Sequence, residues 1–138
     1  MHQKFDTIEQ EARRAWEELQ SSEKPQVLVG AATCGNATGA QDVIKAIRQK
    51  LEEKGIEAEV KQVGCMGVCY AEVLVDIIKP GMPRICYQDM TPEKAEELIE
   101  SYLVEDDPRP DLAMGHFGKE GLTEIPKMQE LPVFQLLI

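Results

Sequence analysis

Aromatic residues make up only 5% of this 138-residue sequence, histidine occurs twice and cysteine four times. No Ser/His/Asp, Cys/His or paired-carboxylate arrangement is evident, so the residues offer no general acid, base or nucleophile set. Lysine and arginine (15) are outnumbered by aspartate and glutamate (25), for a formal net charge of −10. Such a surface repels phosphate backbones and anionic bilayers, and nucleic acid is not an expected partner. The acid excess reads as a solvated surface. No run approaches the roughly 20 apolar residues that a bilayer span needs, so direct membrane insertion is not expected. The opening stretch, "MHQKFDTIEQEARRAWEELQ", has no apolar signal core, and a cytoplasmic location is the expectation. In a reducing compartment Cys34, Cys65, Cys69 and Cys86 are poor disulfide candidates and better metal or redox candidates. Any one of them alone packs as a small hydrophobe.

What is present is a chain of short, well-punctuated elements. Residues 6–20 predict an amphipathic helix, with Asp6 and Glu9 as a capping box and Ile8, Ala12, Ala15, Trp16 and Leu19 on one face. After "SSEKP", the run "QVLVG" (26–30) predicts a strand. The loop "GAATCGNATGA" follows, and Thr38 with Gln41 predicts the start of a helix over 39–54 that buries Val43, Ile44, Ile47 and Leu51 and stops at Gly55. "IEAEVKQV" (56–63) alternates as a strand does. "VLVDII" (73–78), the turn "KPGMP" and "RICYQ" (84–88) predict a hairpin. Thr91 as N-cap and Pro92 at the first helical position open a last helix carrying Ala95, Leu98, Ile99, Tyr102 and Leu103. From residue 26 the order is β-α-β-β-β-α, an α/β fold.

Beyond about residue 104 proline and glycine recur without a sustained period, and the segment ends in the apolar "LPVFQLLI". A long aperiodic stretch reads as a linker or docking arm. Its apolar end, Phe134, Leu136, Leu137 and Ile138, is expected to pack on a partner or to be the stub of a longer chain. The expected division is residues 1–24 as an N-terminal helix, 25–103 as the folded domain and 104–138 as an extended, poorly packed tail. His116, beside Phe117 in that tail, reads as solvated or partner-facing. Trp16, Tyr70, Tyr87 and Tyr102 read as core or interface groups.

Topology brings three of the cysteines together. Strands joined by a crossover helix run parallel, so the loops after residues 30 and 63 leave the same sheet edge, where open α/β sheets hold ligands. Cys34 follows the first strand; Cys65 and Cys69 follow the second in "GCMGVC". Cys86 falls mid-strand, about 10 Å short of those loops at roughly 3.3 Å per residue. It alternates with Ile85 and Tyr87 and so points to the other face, which makes it a structural cysteine. Gly30, Gly35, Gly39, Gly64 and Gly67 allow the close backbone approach that a metal or sulfide-bearing cluster needs. The C-x3-C spacing differs from the C-x-x-C of a thioredoxin-type dithiol and is loose for a zinc knuckle.

Taken together, the strand, cysteine loop, helix, strand, "GCMGVC", hairpin and "TPE" helix resemble the thioredoxin-like [2Fe–2S] ferredoxins. That domain also occurs in the small electron-transfer subunit of respiratory NADH dehydrogenase and in NAD(P)-linked hydrogenases. More closely, "VLVGAATCGNATGA", "VGCMGVCYAEVLVDIIKPGMPRICY" and "DDPRPDLAMG" resemble the ferredoxin-like extension at the N-terminus of NADH-binding flavoprotein subunits. "EIPKMQELPVF" resembles the connector leading into their flavin domain. The resemblance implies a thioredoxin-like fold with four short strands and a [2Fe–2S] cluster held by Cys34, Cys65 and Cys69. It also implies an electron-transfer role in an NADH dehydrogenase- or hydrogenase-type complex, beside a flavoprotein or hydrogenase subunit; a second copy of the chain is a further candidate partner. The family's NADH and FMN sites lie in the following flavin domain, whose glycine-rich loops are absent here. The family motif also has four cysteines, and the position before Cys34 is lost in Gly30, Ala31 and Ala32. Thr33, Asn36, water, a partner's residue or Cys86 are the candidates to replace it. The alternatives are a cluster-free docking module for a flavoprotein and a thiol redox protein using Cys65 and Cys69.

Overall fold

A computed structural model describes residues 2–118 and 122–135. The elements are α1 (His2–Ser21), β1 (Gln26–Gly30), α2 (Thr33–Thr38), α3 (Ala40–Lys54), β2 (Glu59–Val63), β3 (Val75–Ile78), β4 (Arg84–Tyr87), α4 (Pro92–Leu98), β5 (Ala113–Phe117) and α5 (Pro132–Gln135). A π-helical turn over Ile99–Val104 prolongs α4. The strands form one sheet in the order β2-β1-β3-β4-β5. β1 and β2 are parallel, as the crossover through α3 requires, while β1–β3, β3–β4 and β4–β5 are antiparallel.

Local chemistry accounts for the helices. In α3, Val43, Ile44, Ile47 and Leu51 lie on one buried stripe, and Gly55 closes the helix in the left-handed region with its N–H on the carbonyls of Leu51 and Glu52. In α4, the Thr91 side chain accepts from Lys94 N–H and Pro92 fills the first turn. The expected Thr38–Gln41 capping box does not form. Residues 33–38 make the separate helix α2, and the Thr38 hydroxyl donates to the Cys34 carbonyl at 2.7 Å. The N-terminal helix begins at His2, ahead of the expected Asp6 cap.

Alternation along the strands divides the interior in two. Val27, Val29, Val75, Ile77, Ile85 and Tyr87 face α3 and α4 and make the main core. On the other face Leu74, Cys86 and Met114 pack with Val68, Ala71 and Met128. The helical layer thus covers one side of the sheet, and the cysteine loop with the C-terminal segment covers the other.

The C-terminal segment departs from expectation. Residues 113–117 form a fifth strand where four were expected, and Met114, His116, Ile125 and Met128 are buried. Residues 104–118 and 122–135 are therefore built into the domain instead of lying extended and poorly packed beside it. Tyr87 Oη donates to the Pro108 carbonyl at 2.7 Å, and His116 N–H donates to the Pro126 carbonyl at 2.9 Å. Gly115 shows why no periodic signal marks this strand. A Cβ there would lie 2.7 Å from Met128 Sδ and 3.0 Å from the Pro126 carbonyl oxygen, so the returning chain sits directly on the glycine. Phe134 packs on the smaller cluster; Leu136, Leu137 and Ile138 lie outside the described residues. His116, expected to be solvated or partner-facing, is only 2% exposed.

α1 behaves in the opposite way. Residues 3–18 are exposed along their whole length, and Gln26 Nε2 donating to the Leu19 carbonyl at 3.0 Å ties the helix end to the sheet. Among the described residues no helix is long and apolar enough to cross a membrane.

Candidate metal centre

The carboxyl ends of β1 and β2 are in register, Gly30 opposite Val63, and Ala31 N–H donates to the Val63 carbonyl at 3.0 Å. Both cysteine loops therefore leave the sheet from one place. Cys34 lies four residues past Gly30, in the first turn of α2, and Cys65 lies two residues past Val63. α2 folds back onto the end of β1 so closely that a Cβ on Gly35 would stand 2.1 Å from the Gly30 carbonyl oxygen; only glycine fits.

Cys65 and Cys69 come together as the spacing requires. Their sulfurs are 3.7 Å apart and both residues are exposed. Gly67, at φ +85°, turns the chain between them, and its N–H donates to Cys65 Sγ at 3.2 Å. Two thiolates bound at about 2.3 Å to one tetrahedral metal stand about 3.75 Å apart, so this pair has the bite of two ligands on one metal ion.

The third cysteine does not complete the group. Cys34 is half-buried at the same edge, but among the described residues no three His, Cys, Asp or Glu side chains are gathered so as to hold a metal ion. Nor is Asn36 free to take the place of the missing cysteine. Its Nδ2 donates to the Ala31 carbonyl at 2.8 Å, and its Oδ1 accepts from Gln41 Nε2 at 3.0 Å. Cys86 is fully buried mid-strand opposite Asp76. Burial, reinforced by the Asp76 carboxyl, pushes its thiol well above the ordinary range, as suits a packing residue and not a ligand.

Two features of the site escape the sequence patterns. The first is Glu72, three residues past Cys69 and 7% exposed. Its Oε2 accepts from Leu74 N–H at 3.1 Å and would lie 3.3 and 3.4 Å from Cβ atoms built on Gly30 and Gly35. The carboxylate thus sits under both loops, beside a cleft of about 120 Å³ that Gly64 and Met66 also line. A lone acid inside the apolar run "AEVLV" was the available signal. The second is the support beneath the loop. Val68 and Ala71, on either side of Cys69, pack with Met114 and Met128 from the C-terminal segment. Tyr70, expected in core or interface, is 71% exposed.

Apart from the buried Glu72 beneath them, the two loops themselves carry no charge. Neither residues 30–41 nor residues 62–71 contain Asp, Glu, Lys or Arg, although 29% of the chain is charged. A partner can approach these loops without stripping water from ionised side chains.

No family model matches the chain. It is 31% identical over 81 residues to the NADP-reducing hydrogenase subunit HndB of Solidesulfovibrio fructosivorans, an alignment covering 58% of this chain and 64% of that one. The chain therefore spans less than two thirds of that relative's length. A thioredoxin-like [2Fe–2S] ferredoxin from Aquifex aeolicus superposes with a TM-score of 0.60 at 19% identity, over 73% of this chain and 99% of the ferredoxin. A second structure of the wild-type ferredoxin, from the same organism, gives 0.57 at 20% identity, over 68% and 99%. This chain has the fold of the thioredoxin-like [2Fe–2S] ferredoxins, and its sequence is related to that of a hydrogenase subunit.

Proposed function

We propose that this chain is an electron-transfer module of an NAD(P)-linked hydrogenase- or NADH dehydrogenase-type complex, with a [2Fe–2S] cluster at the edge formed by Cys34, Cys65 and Cys69. The observation that carries the reading is the Cys65–Cys69 pair, exposed and 3.7 Å apart at the edge of a ferredoxin-type fold. Relatedness to a hydrogenase subunit supports the kind of complex. When bound, such a cluster supplies one-electron storage and release. The chain's own residues do the rest. Cys65 and Cys69 offer two thiolates, Gly67 N–H donates to Cys65 Sγ, and the Glu72 carboxylate, accepting from Leu74 N–H, lies at the base of the site beside Gly30 and Gly35. Cys34, half-buried at the same edge, would be the third thiolate, and the fourth position would fall to a group other than a cysteine of this loop. The two loops, 30–41 and 62–71, whose side chains are uncharged, are the face offered to a flavoprotein or hydrogenase subunit, in the cytoplasm.

Iron and acid-labile sulfide analysis of anaerobically prepared protein tests this, with visible absorption and electron paramagnetic resonance. The expected result is iron and sulfide in equal amounts and an S = 1/2 signal on one-electron reduction. Protein that stays colourless after reconstitution with iron and sulfide refutes it. A second reading, a cluster-free docking module on the same complex, is favoured by the loss of the cysteine in Gly30–Ala31–Ala32 and by the absence of a metal-holding group among the described residues. Colourless protein that still binds its complex would establish that reading.

A further inference from the structure

Among the described residues nothing covers the apolar seam of helix α1 through residue 18, and Leu19 at its end is half-buried. Phe5, Ile8 and Trp16 are 68%, 63% and 54% exposed. The seam runs through Phe5, Ile8, Ala12, Ala15 and Leu19, at successive spacings of three and four residues. That is a period of 3.5, the repeat that keeps a stripe facing one side when a second helix supercoils around it. A helix of this length held only at its end is marginal in water, so the seam needs a cover for the helix to persist.

The charges beside the seam select the cover. With Phe5, Ala12 and Leu19 at a and Ile8 and Ala15 at d, the flanking g positions are Lys4, Glu11 and Glu18, and the e positions are Glu9 and Trp16. In a parallel, in-register pair each g residue faces the e residue five positions on in the other helix. Lys4 then meets Glu9 of the second copy, twice by symmetry, and Glu11 meets Trp16. No like charges oppose each other within the helix. Antiparallel registers that keep the alanines inside set Glu11 against Glu18, or set Glu11 against Glu11 and Glu9 against Glu9 beside two Lys4–Glu18 pairs, so only the parallel pair opposes no like charges. Ala12 and Ala15 form a narrow waist where two backbones can approach. Phe5 and Ile8 fill one end and Leu19 with Trp16 the other.

We infer that the occupant of this seam is α1 of a second copy, and that the protein is a homodimer joined by a parallel two-stranded coiled coil. The cysteine edges stay outside the interface, so the inference is independent of cluster binding.

Sedimentation equilibrium of the full chain, from about micromolar to millimolar concentration, should show a monomer passing to twice its mass. Helicity at 222 nm should fall as the dimer dissociates. Ile8→Glu should raise the dissociation constant by at least about tenfold, while Gln10→Glu on the outer face should leave it unchanged. Lys4→Glu and Glu9→Lys should each weaken the dimer severalfold, and the two together should restore it. Urea unfolding of the sheet domain should be the same in every variant, which separates loss of pairing from loss of fold. A wild-type chain that is monomeric throughout overturns the inference. So does a dimer indifferent to Ile8→Glu, or a charge swap that fails to restore pairing.

Discussion

Replacing Met128 by alanine tests whether the C-terminal segment belongs to the fold. Met128 is 1% exposed and lies across Gly115, against Val68, Ala71, Leu74, Cys86 and Met114. Cutting a buried methionine to alanine removes its transfer free energy and leaves a cavity, together about 2–5 kcal/mol. A domain of this size has about 5–15 kcal/mol in total. With a urea slope of about 1.5 kcal/mol per molar, the midpoint should fall by about 1–3 M. A residue on a solvated docking arm would instead change stability by no more than about 0.5 kcal/mol. The assay is urea unfolding of wild type and Met128→Ala followed by far-UV circular dichroism. Alkylation of Cys65 and Cys69 below the transition should also quicken in the variant, since Met128 supports Val68 and Ala71 around Cys69. A shift below about 0.5 kcal/mol, with alkylation unchanged, would refute the packing described here.

Three further outcomes are expected. Cys65→Ser or Cys69→Ser should abolish or weaken iron binding after reconstitution, whereas Cys86→Ser should retain it; iron loss confined to the Cys86 variant would make that residue a ligand. Asp76 is buried on the sheet and accepts from Arg84 Nε at 2.6 Å. Burial raises its carboxyl pKa above the ordinary value although Arg84 pulls it down, so the folded state binds this proton more tightly than the unfolded state. Its contribution to stability is present in acid and is lost as the pH rises through the raised pKa. Wild type should therefore gain stability relative to Asp76→Asn as the pH falls from neutrality toward about 4; a constant or opposite difference in urea midpoints would exclude this. Gly115→Val must displace Met128 or the Pro126 carbonyl, and should cost about 1–3 kcal/mol in thermal unfolding.

Much of the fold is written locally. The stripe of α3, the Gly55 stop, the Thr91–Pro92 start of α4 and the hairpin each depend on residues within one or two turns of one another. Chain handedness then sets β1 and β2 parallel and brings the two cysteine loops to one edge. Two-residue alternation put Cys86 on a different face from Ile85 and Tyr87, which is where it lies. What the sequence by itself did not determine are the contacts between residues far apart in the chain. β5 is a strand because β4 offers an unpaired edge and Met128 returns over Gly115, and neither fact leaves a period in "LAMGHFG". His116 and Glu72 are polar residues whose burial depends on segments folded over them. The face of α1 reads as amphipathic from its sequence, yet only the tertiary structure reveals that the described residues leave it bare from residue 3 to residue 18. At the site, spacing alone was enough to pair Cys65 with Cys69 across a single loop turned by Gly67. Cys34 is different: its place depends on how α2 packs against Gly30, and that packing leaves the third thiol outside any metal-holding group among the described residues.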